Sequence, residues 1–426
     1  MADLSCNFAG IKSPNPFWLA SAPPTDKKYN VERAFAAGWG GVVWKTLGEE
    51  GPPIVNVSSR YSSISHFGHK MIGMNNIELI TDRPLEVNLR EIKEVKDSWP
   101  DRAVVVSLMV PCEESSWKSI LEKVSETGAD GVELNFGCPH GMSERGMGAA
   151  VGQVPEYVEM VTKWCKQYCS LPVVVKLTPN VTNINLSAEA AKRGGADGVS
   201  LINTINSITG IDLDNMVAYP VVDGKSTHGG YCGPAVKPIA LHMVSEVSKN
   251  RFLQGMHISG IGGIGNWKDA AEFLALGCLN VQVCTAAMHY GFQIVEDMIT
   301  GLNHWMDEKN YECLNDFVGK AVINTVNWQE LNLNYISKAK INASKCIGCG
   351  LCYKACEDTS HQAIKAHKIG LDRVYEVVAK DCVGCNLCQL ACPVPDCIEM
   401  LDASDQNAPY LPWTRHPNNP FLKQQP

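Results

Sequence analysis

Eight cysteines near the C-terminus fall into two copies of one spacing: Cys346, Cys349, Cys352 and Cys356, then Cys382, Cys385, Cys388 and Cys392, the last followed by Pro393. Thiolates at C-x2-C-x2-C-x3-C intervals are the ligand pattern of a pair of [4Fe–4S] clusters, in which three thiolates of a run hold one cluster and the fourth crosses to the other. Crossed ligation assigns Cys346, Cys349, Cys352 and Cys392 to one cluster, and Cys382, Cys385, Cys388 and Cys356 to the other. Structural zinc is the competing use of C-x2-C pairs, but a tetrahedral zinc gains nothing from a third cysteine so close behind the second. The turn after the first run is less fixed, because Glu357 stands where the second run has proline.

A second group of residues capable of chemistry lies upstream. Lys45 and Lys176 close the valine-rich runs Val42-Val43-Trp44-Lys45 and Val173-Val174-Val175-Lys176. An ammonium in such surroundings is costly unless it is paired or faces an anion. A reduced flavin, anionic around N1 and O2, is one such anion; a structural salt bridge is the plainer use. The run 260–265, with Gly260, Gly262, Gly263 and Gly265, and the pair Cys284-Thr285 offer backbone amides for a phosphate, as of FMN. The first also fits G-x-G-x-x-G, but no acidic residue follows about 20 positions on to hold a ribose, where the chain reads Val281-Gln282-Val283-Cys284. With no other nicotinamide-binding segment, electrons from NADH are expected through another polypeptide. Cys138 follows Asn135-Phe136-Gly137 and opens a stretch holding Gly141, Gly146 and Gly148, a composition suited to a closing loop. A free cysteine is by default a small buried hydrophobe, and that default covers most of the others, including Cys397 just past the second run.

These groups need a frame that gathers strand ends. Continuous apolar runs, rich in valine and isoleucine, recur at 17–22, 41–46, 103–110, 131–138, 172–178, 198–204, 256–262 and 280–285. Unbroken apolarity marks strands covered on both faces, as in a parallel sheet. Amphipathic segments at 31–37, 117–127, 155–168, 186–193 and 267–276 fill several gaps. The pattern predicts a (β/α)8 TIM barrel over 1–305, whose active face is built from the C-terminal strand ends; a doubly wound sheet is the alternative. A polar, helical connection is expected over 306–339, a ferredoxin-like 2×[4Fe–4S] domain over 340–401, and over 402–426, with its five prolines, an extended tail or one without its own fold.

The formal net charge of −8 is spread without a basic block, so neither nucleic acid nor an anionic membrane is expected as a partner. No apolar stretch reaches the roughly 18 residues of a membrane span. The N-terminus lacks a basic start followed by an apolar run, and 18 cysteines then point to a reducing, cytoplasmic setting.

The segments 135–141, 144–148, 176–180, Asn203-Thr204 and 262–264, together with both cysteine runs, resemble the dihydropyrimidine dehydrogenase family of dihydroorotate dehydrogenase-like flavin barrels along essentially the whole chain. That resemblance implies reversible reduction of uracil or thymine at the 5,6 double bond, with hydride from FMN and a proton from Cys138. It places Asn76, Asn135, Asn203 and Thr204 at the pyrimidine. It implies FMN contacts at Ala20, Ser21, Lys45, Lys176, Gly230, Gly262, Gly263, Cys284 and Thr285. It also implies a PreT-like partner subunit binding FAD and NADH, and a homodimer within a heterotetramer. Where several relatives carry serine before the cysteine, this sequence has Gly137.

Overall fold

The computed structural model describes residues 2–49, 54–66, 70–139, 146–370 and 372–424. The chain divides into two compact units, Met1–Thr325 and Val326–Pro426.

Eight parallel strands close the barrel of the first unit: β1 (Phe17–Leu19), β2 (Gly41–Leu47), β3 (Ala103–Leu108), β4 (Gly131–Asn135), β5 (Val173–Lys176), β6 (Gly198–Leu201), β7 (His257–Ile261) and β8 (Asn280–Val283), with β8 pairing back to β1. Each falls on one of the expected apolar runs. Eight helices alternate with them: α1 (Lys28–Ala37), α2 (Leu85–Ser98), α3 (Glu114–Ser125), α4 (Pro155–Tyr168), α5 (Ile184–Arg193), α6 (Lys237–Lys249), α7 (Trp267–Ala275) and α8 (Ile294–Lys309).

Although the strands are buried throughout, their alternation survives as two different environments. Val42, Trp44, Val104, Val106, Val132, Leu134, Val173 and Val175 belong to the core shared with the helices. The burial of Trp44 there is made tolerable by its Nε1–H donating to Asn88 Oδ1 of α2 at 3.0 Å. The residues between them point into the barrel. At its base Trp18, Val43, Val105 and Val174 pack against Phe8 and Ile11 of an N-terminal hairpin, Cys6–Phe8 with Ile11–Ser13. One level higher on the same faces stand Lys45, Ser107, Glu133, Lys176, Ser200, Ser259 and Gln282, all buried. The interior thus turns from apolar to polar on approaching the strand ends, where a polar ligand belongs.

Four short strands form an antiparallel sheet in the order Ile205–Ser207, Gly229–Cys232, Lys70–Asn76 and Tyr61–His66. They come from the segments after β2 and β6. Among the described residues no helix is long and apolar enough to cross a membrane.

In the second unit Ser337–Ile341 pairs with Ile398–Asp402, and Ile364–Ile369 with Asp372–Val377. The two cysteine runs repeat one backbone course: Gly348 and Gly350 adopt φ of 68° and 78°, matched by Gly384 and Asn386 at 73° and 68°. These left-handed positions, suited to glycine and asparagine, precede the short helices Leu351–Glu357 and Leu387–Ala391. The tail folds back within its unit: Leu333 N–H donates to Leu411 O (2.9 Å), and the rings of Trp328 and Trp413 lie 6.1 Å apart.

Candidate active site

A cavity at the C-terminal ends of the strands is lined by Ala20, Ser21, Lys45, Asn76, Asn135, Cys138, Lys176, Asn203, Thr204, Gly262, Gly263, Cys284 and Thr285. These positions, far apart in sequence, come together because parallel strands deliver their ends to one face. Gly230 stands behind this lining: its carbonyl accepts from Asn76 Nδ2 at 3.2 Å, and a Cβ on it would lie 2.1 Å from Thr204 Oγ1.

Each lysine has a carboxylate partner. Lys176 Nζ lies 3.4 Å from Glu133 Oε1, while Glu133 Oε2 accepts from Ser200 Oγ (2.8 Å) and Gln282 Nε2 (3.1 Å). Lys45 Nζ donates to Glu78 Oε1 at 3.0 Å, and Asp26 Oδ2 lies 3.8 Å away. Glu78 also takes Arg60 Nη1 at 2.8 Å and Tyr61 O–H at 2.5 Å. The cations are therefore fixed in place at the cavity wall, and charge partners offset the cost of burying them.

A network of amides and hydroxyls orients the wall beside the lysines, Asn135 being paired with Lys176 across adjacent strands. Asn135 Nδ2 donates to Thr46 Oγ1 (3.0 Å), Asn203 Nδ2 donates to Asn135 Oδ1 (2.9 Å), and Thr204 N–H donates to Asn203 Oδ1 (2.8 Å). Asn180 holds the end of this chain through its Nδ2 to Thr204 O at 3.1 Å. Cys138 is buried against Ile80, Met109 and Met147, and its carbonyl accepts from Ala149 N–H at 3.1 Å. The rest of its glycine-containing loop, with His140 and the segment through Arg145, lies outside the described residues.

The far end of the cavity is built from backbone. Gly262 and Gly263 take φ of 127° and 73°. A Cβ on the first would lie 2.9 Å from Ala240 Cβ, and on the second 2.8 Å from Lys237 N. Two successive left-handed glycines with no room for side chains form a concavity of amides that fits a phosphate. Beside it burial pushes the Cys284 thiol up to about 12, with Cys232 acting in the same direction, so it stands neutral. With Lys45 and Lys176 further in, the residues fit FMN.

In the second unit the cysteines surround two cavities. One is lined by Cys356, Cys382, Cys385 and Cys388, the other by Cys346, Cys349, Cys352 and Cys392. These are the crossed sets that the spacing implies. Among the described residues no three His, Cys, Asp or Glu side chains converge on a single metal ion; thiols spaced around a cavity suit a cubic cluster instead.

Sequence reasoning missed Glu78, Thr46, Glu133 and Gln282. Glu78 had a signal, since it follows Asn76 by two positions on the segment closing the cavity. Thr46, next to Lys45, had another.

The fold and site define a flavin-dependent oxidoreductase barrel joined to an iron–sulfur electron carrier. Residues 3–306 match the dihydroorotate dehydrogenase family and residues 339–400 the 4Fe-4S dicluster domain. The chain is 44% identical over 364 residues to the NAD-dependent dihydropyrimidine dehydrogenase subunit PreA of Escherichia coli (strain K12), covering 85% of this chain and 87% of that protein. It is 40% identical over 328 residues to the chloroplastic dihydropyrimidine dehydrogenase (NADP(+)) of Arabidopsis thaliana, covering 75% and 77%. Against the catalytic subunit of dihydroorotate dehydrogenase B (NAD(+)) of Pyrococcus abyssi it is 35% identical over 325 residues, covering 75% and 99%. The chain belongs to the dihydropyrimidine dehydrogenase family of dihydroorotate dehydrogenase-like barrels.

Proposed function

We propose that this chain is the catalytic subunit of a dihydropyrimidine dehydrogenase, reversibly reducing uracil or thymine at the 5,6 double bond. The observation that carries the reading is the asparagine wall. Asn76, Asn135, Asn203 and Thr204 line one cavity, and their amides and hydroxyl match a ring edge that alternates N–H and C=O. The Glu78 carboxylate on the same cavity adds an acceptor for a ring N–H. The names of the Escherichia coli and Arabidopsis relatives support the substrate class. Orotate would need a cation for its carboxylate; no arginine is among the described residues lining the cavity, and Lys45 and Lys176 already face carboxylates.

Bound FMN supplies hydride exchange with one ring carbon. The protein's own residues do the rest. Lys45 and Lys176 place positive charge beside the flavin. Gly262 and Gly263 hold its phosphate. The asparagines fix the plane of the pyrimidine, and Ile80, Met109 and Met147 keep water from Cys138. The Cys138 thiol delivers a proton to the neighbouring carbon in reduction and recovers it in the reverse direction.

Electrons reach the barrel from NADH by way of a separate FAD- and NADH-binding subunit and the two clusters. This is supported by the missing ribose-binding acid after 260–265 and by the Escherichia coli relative being named a subunit. Homodimers within a heterotetramer in the cytoplasm are the assembly and setting we infer. The test is reverse turnover. Adding 5,6-dihydrouracil to the oxidised, FMN-loaded chain bleaches the flavin band, while dihydroorotate leaves it unchanged. Bleaching by dihydroorotate alone would overturn the assignment.

A further inference from the structure

A ninth cysteine shares one of the two cluster cages. The cavity surrounded by Cys346, Cys349, Cys352 and Cys392 is also lined by Cys397, which is 2% exposed. A tight turn carries it there. Cys397 N–H donates to Val394 O at 3.3 Å, and Cys392 Sγ is folded onto the same turn, 3.6 Å from that carbonyl. The partner strand fixes the turn from outside, with Asn342 N–H donating to Cys397 O at 2.8 Å. As a result Cys397 sits between two of the ligands: Asn342 O takes both the Cys397 thiol at 3.7 Å and Cys346 N–H at 3.1 Å, and Cys392 lies on the Val394 turn that Cys397 closes. Among the described residues lining the other cage there is no fifth cysteine.

A buried thiol in an apolar wall is ordinary filler. A thiol that lines a cluster cage together with its ligands is different, because an iron held by Cys392 or Cys346 would lie in the cavity that the thiol also lines. We propose that Cys397 is a reserve ligand of this cluster: when Cys392 or Cys346 is lost, its sulfur takes the vacated iron. In that exchange one iron–thiolate bond replaces another, the Cys397 proton goes to solvent, and no iron changes oxidation state. Cys349 is exposed and, among the described hydrogen bonds, shares neither the Asn342 nor the Val394 carbonyl with Cys397, so it is the ligand expected to have no such substitute.

The test uses the full chain, reconstituted anaerobically, and reads iron, acid-labile sulfide and the EPR of the dithionite-reduced protein. Cys392→Ala and Cys346→Ala are each expected to retain about eight irons per chain, with an altered EPR signal for one cluster. Cys392→Ala/Cys397→Ala and Cys346→Ala/Cys397→Ala fall to about four, as does Cys349→Ala alone. Retention by either single variant, lost in its double, supports the proposal even if the other single variant fails to fold. If neither single variant holds more cluster iron than its double, the proposal is overturned.

Discussion

Asn203 Nδ2 donates to Asn135 Oδ1 across 2.9 Å, and Gly137 is the residue that leaves room for it. A Cβ at position 137 would lie 2.4 Å from both Cβ and Nδ2 of Asn203. The first of those contacts is at the root of the side chain, so rotation of the amide cannot relieve it. Gly137→Ser therefore pushes Asn203 away from Asn135 and unpairs an amide at the proposed substrate wall, a loss of about 1–3 kcal/mol. Uracil affinity, followed by perturbation of the flavin spectrum, is expected to fall by roughly tenfold or more. Unchanged affinity would contradict this role for Gly137.

The two buried lysines are expected to differ in structural weight. Glu133 is wholly buried and Lys176 is its cationic partner, so Lys176→Met leaves a carboxylate uncompensated inside the barrel at a cost of about 3–5 kcal/mol. Glu78 keeps Arg60 at 2.8 Å after Lys45→Met, so its carboxylate stays compensated and that loss should be the smaller of the two. Urea unfolding of FMN-free protein, followed by tryptophan fluorescence, measures both. Equal losses would show that the pairs are not weighted as described.

At the proposed phosphate cradle, Gly263→Ala combines a strained φ of 73° with a methyl 2.8 Å from Lys237 N. Strain of about 1–3 kcal/mol predicts FMN binding weaker by roughly 10- to 100-fold with the clusters retained. Equilibrium dialysis reads the flavin and iron analysis reads the clusters. Full FMN affinity in the variant would move the phosphate elsewhere.

The eight strands were legible because strands covered on both faces must be apolar along their length; their closure was not, because a doubly wound sheet has the same apolar runs and only the pairing of β8 with β1 separates the two. Both cluster sets were legible because cluster chemistry fixes their spacing. The antiparallel sheet from Tyr61–His66 to Ile205–Ser207 was not, since strands of three to seven residues carrying asparagine, serine and glycine look like loop. That sheet explains why Gly230 stands behind the cavity wall and why Glu78 joins it. The polar layer of Glu133 and Gln282 was hidden for a different reason. An isolated polar residue within an apolar run shows which face it occupies only when the opposing strands are known.

His257 links the base of the barrel to pH. Its Nδ1 accepts Ala9 N–H at 2.7 Å, so the fold holds the neutral ring, and burial pushes its pKa below the ordinary value, Asp197 opposing. Above about pH 6.5 the ring is neutral in folded and unfolded chains alike. As pH falls through that value the unfolded chain gains a proton that the folded ring resists, and stability declines. His257→Gln keeps an acceptor without titrating, so its barrel melting temperature should drop less between about pH 7 and pH 5.5. Parallel declines in the two proteins would remove His257 from the account.

The central claim is that the cavity reduces a pyrimidine with the proton drawn from Cys138, and single-turnover reoxidation of the pre-reduced chain by uracil tests it most directly. Wild-type protein should return the flavin band with formation of 5,6-dihydrouracil. Cys138→Ala, keeping FMN, both clusters and uracil binding, should do so ~10²–10⁴-fold more slowly. A wild-type chain that uracil does not reoxidise, or a Cys138→Ala chain that reoxidises at the wild-type rate, would contradict the account.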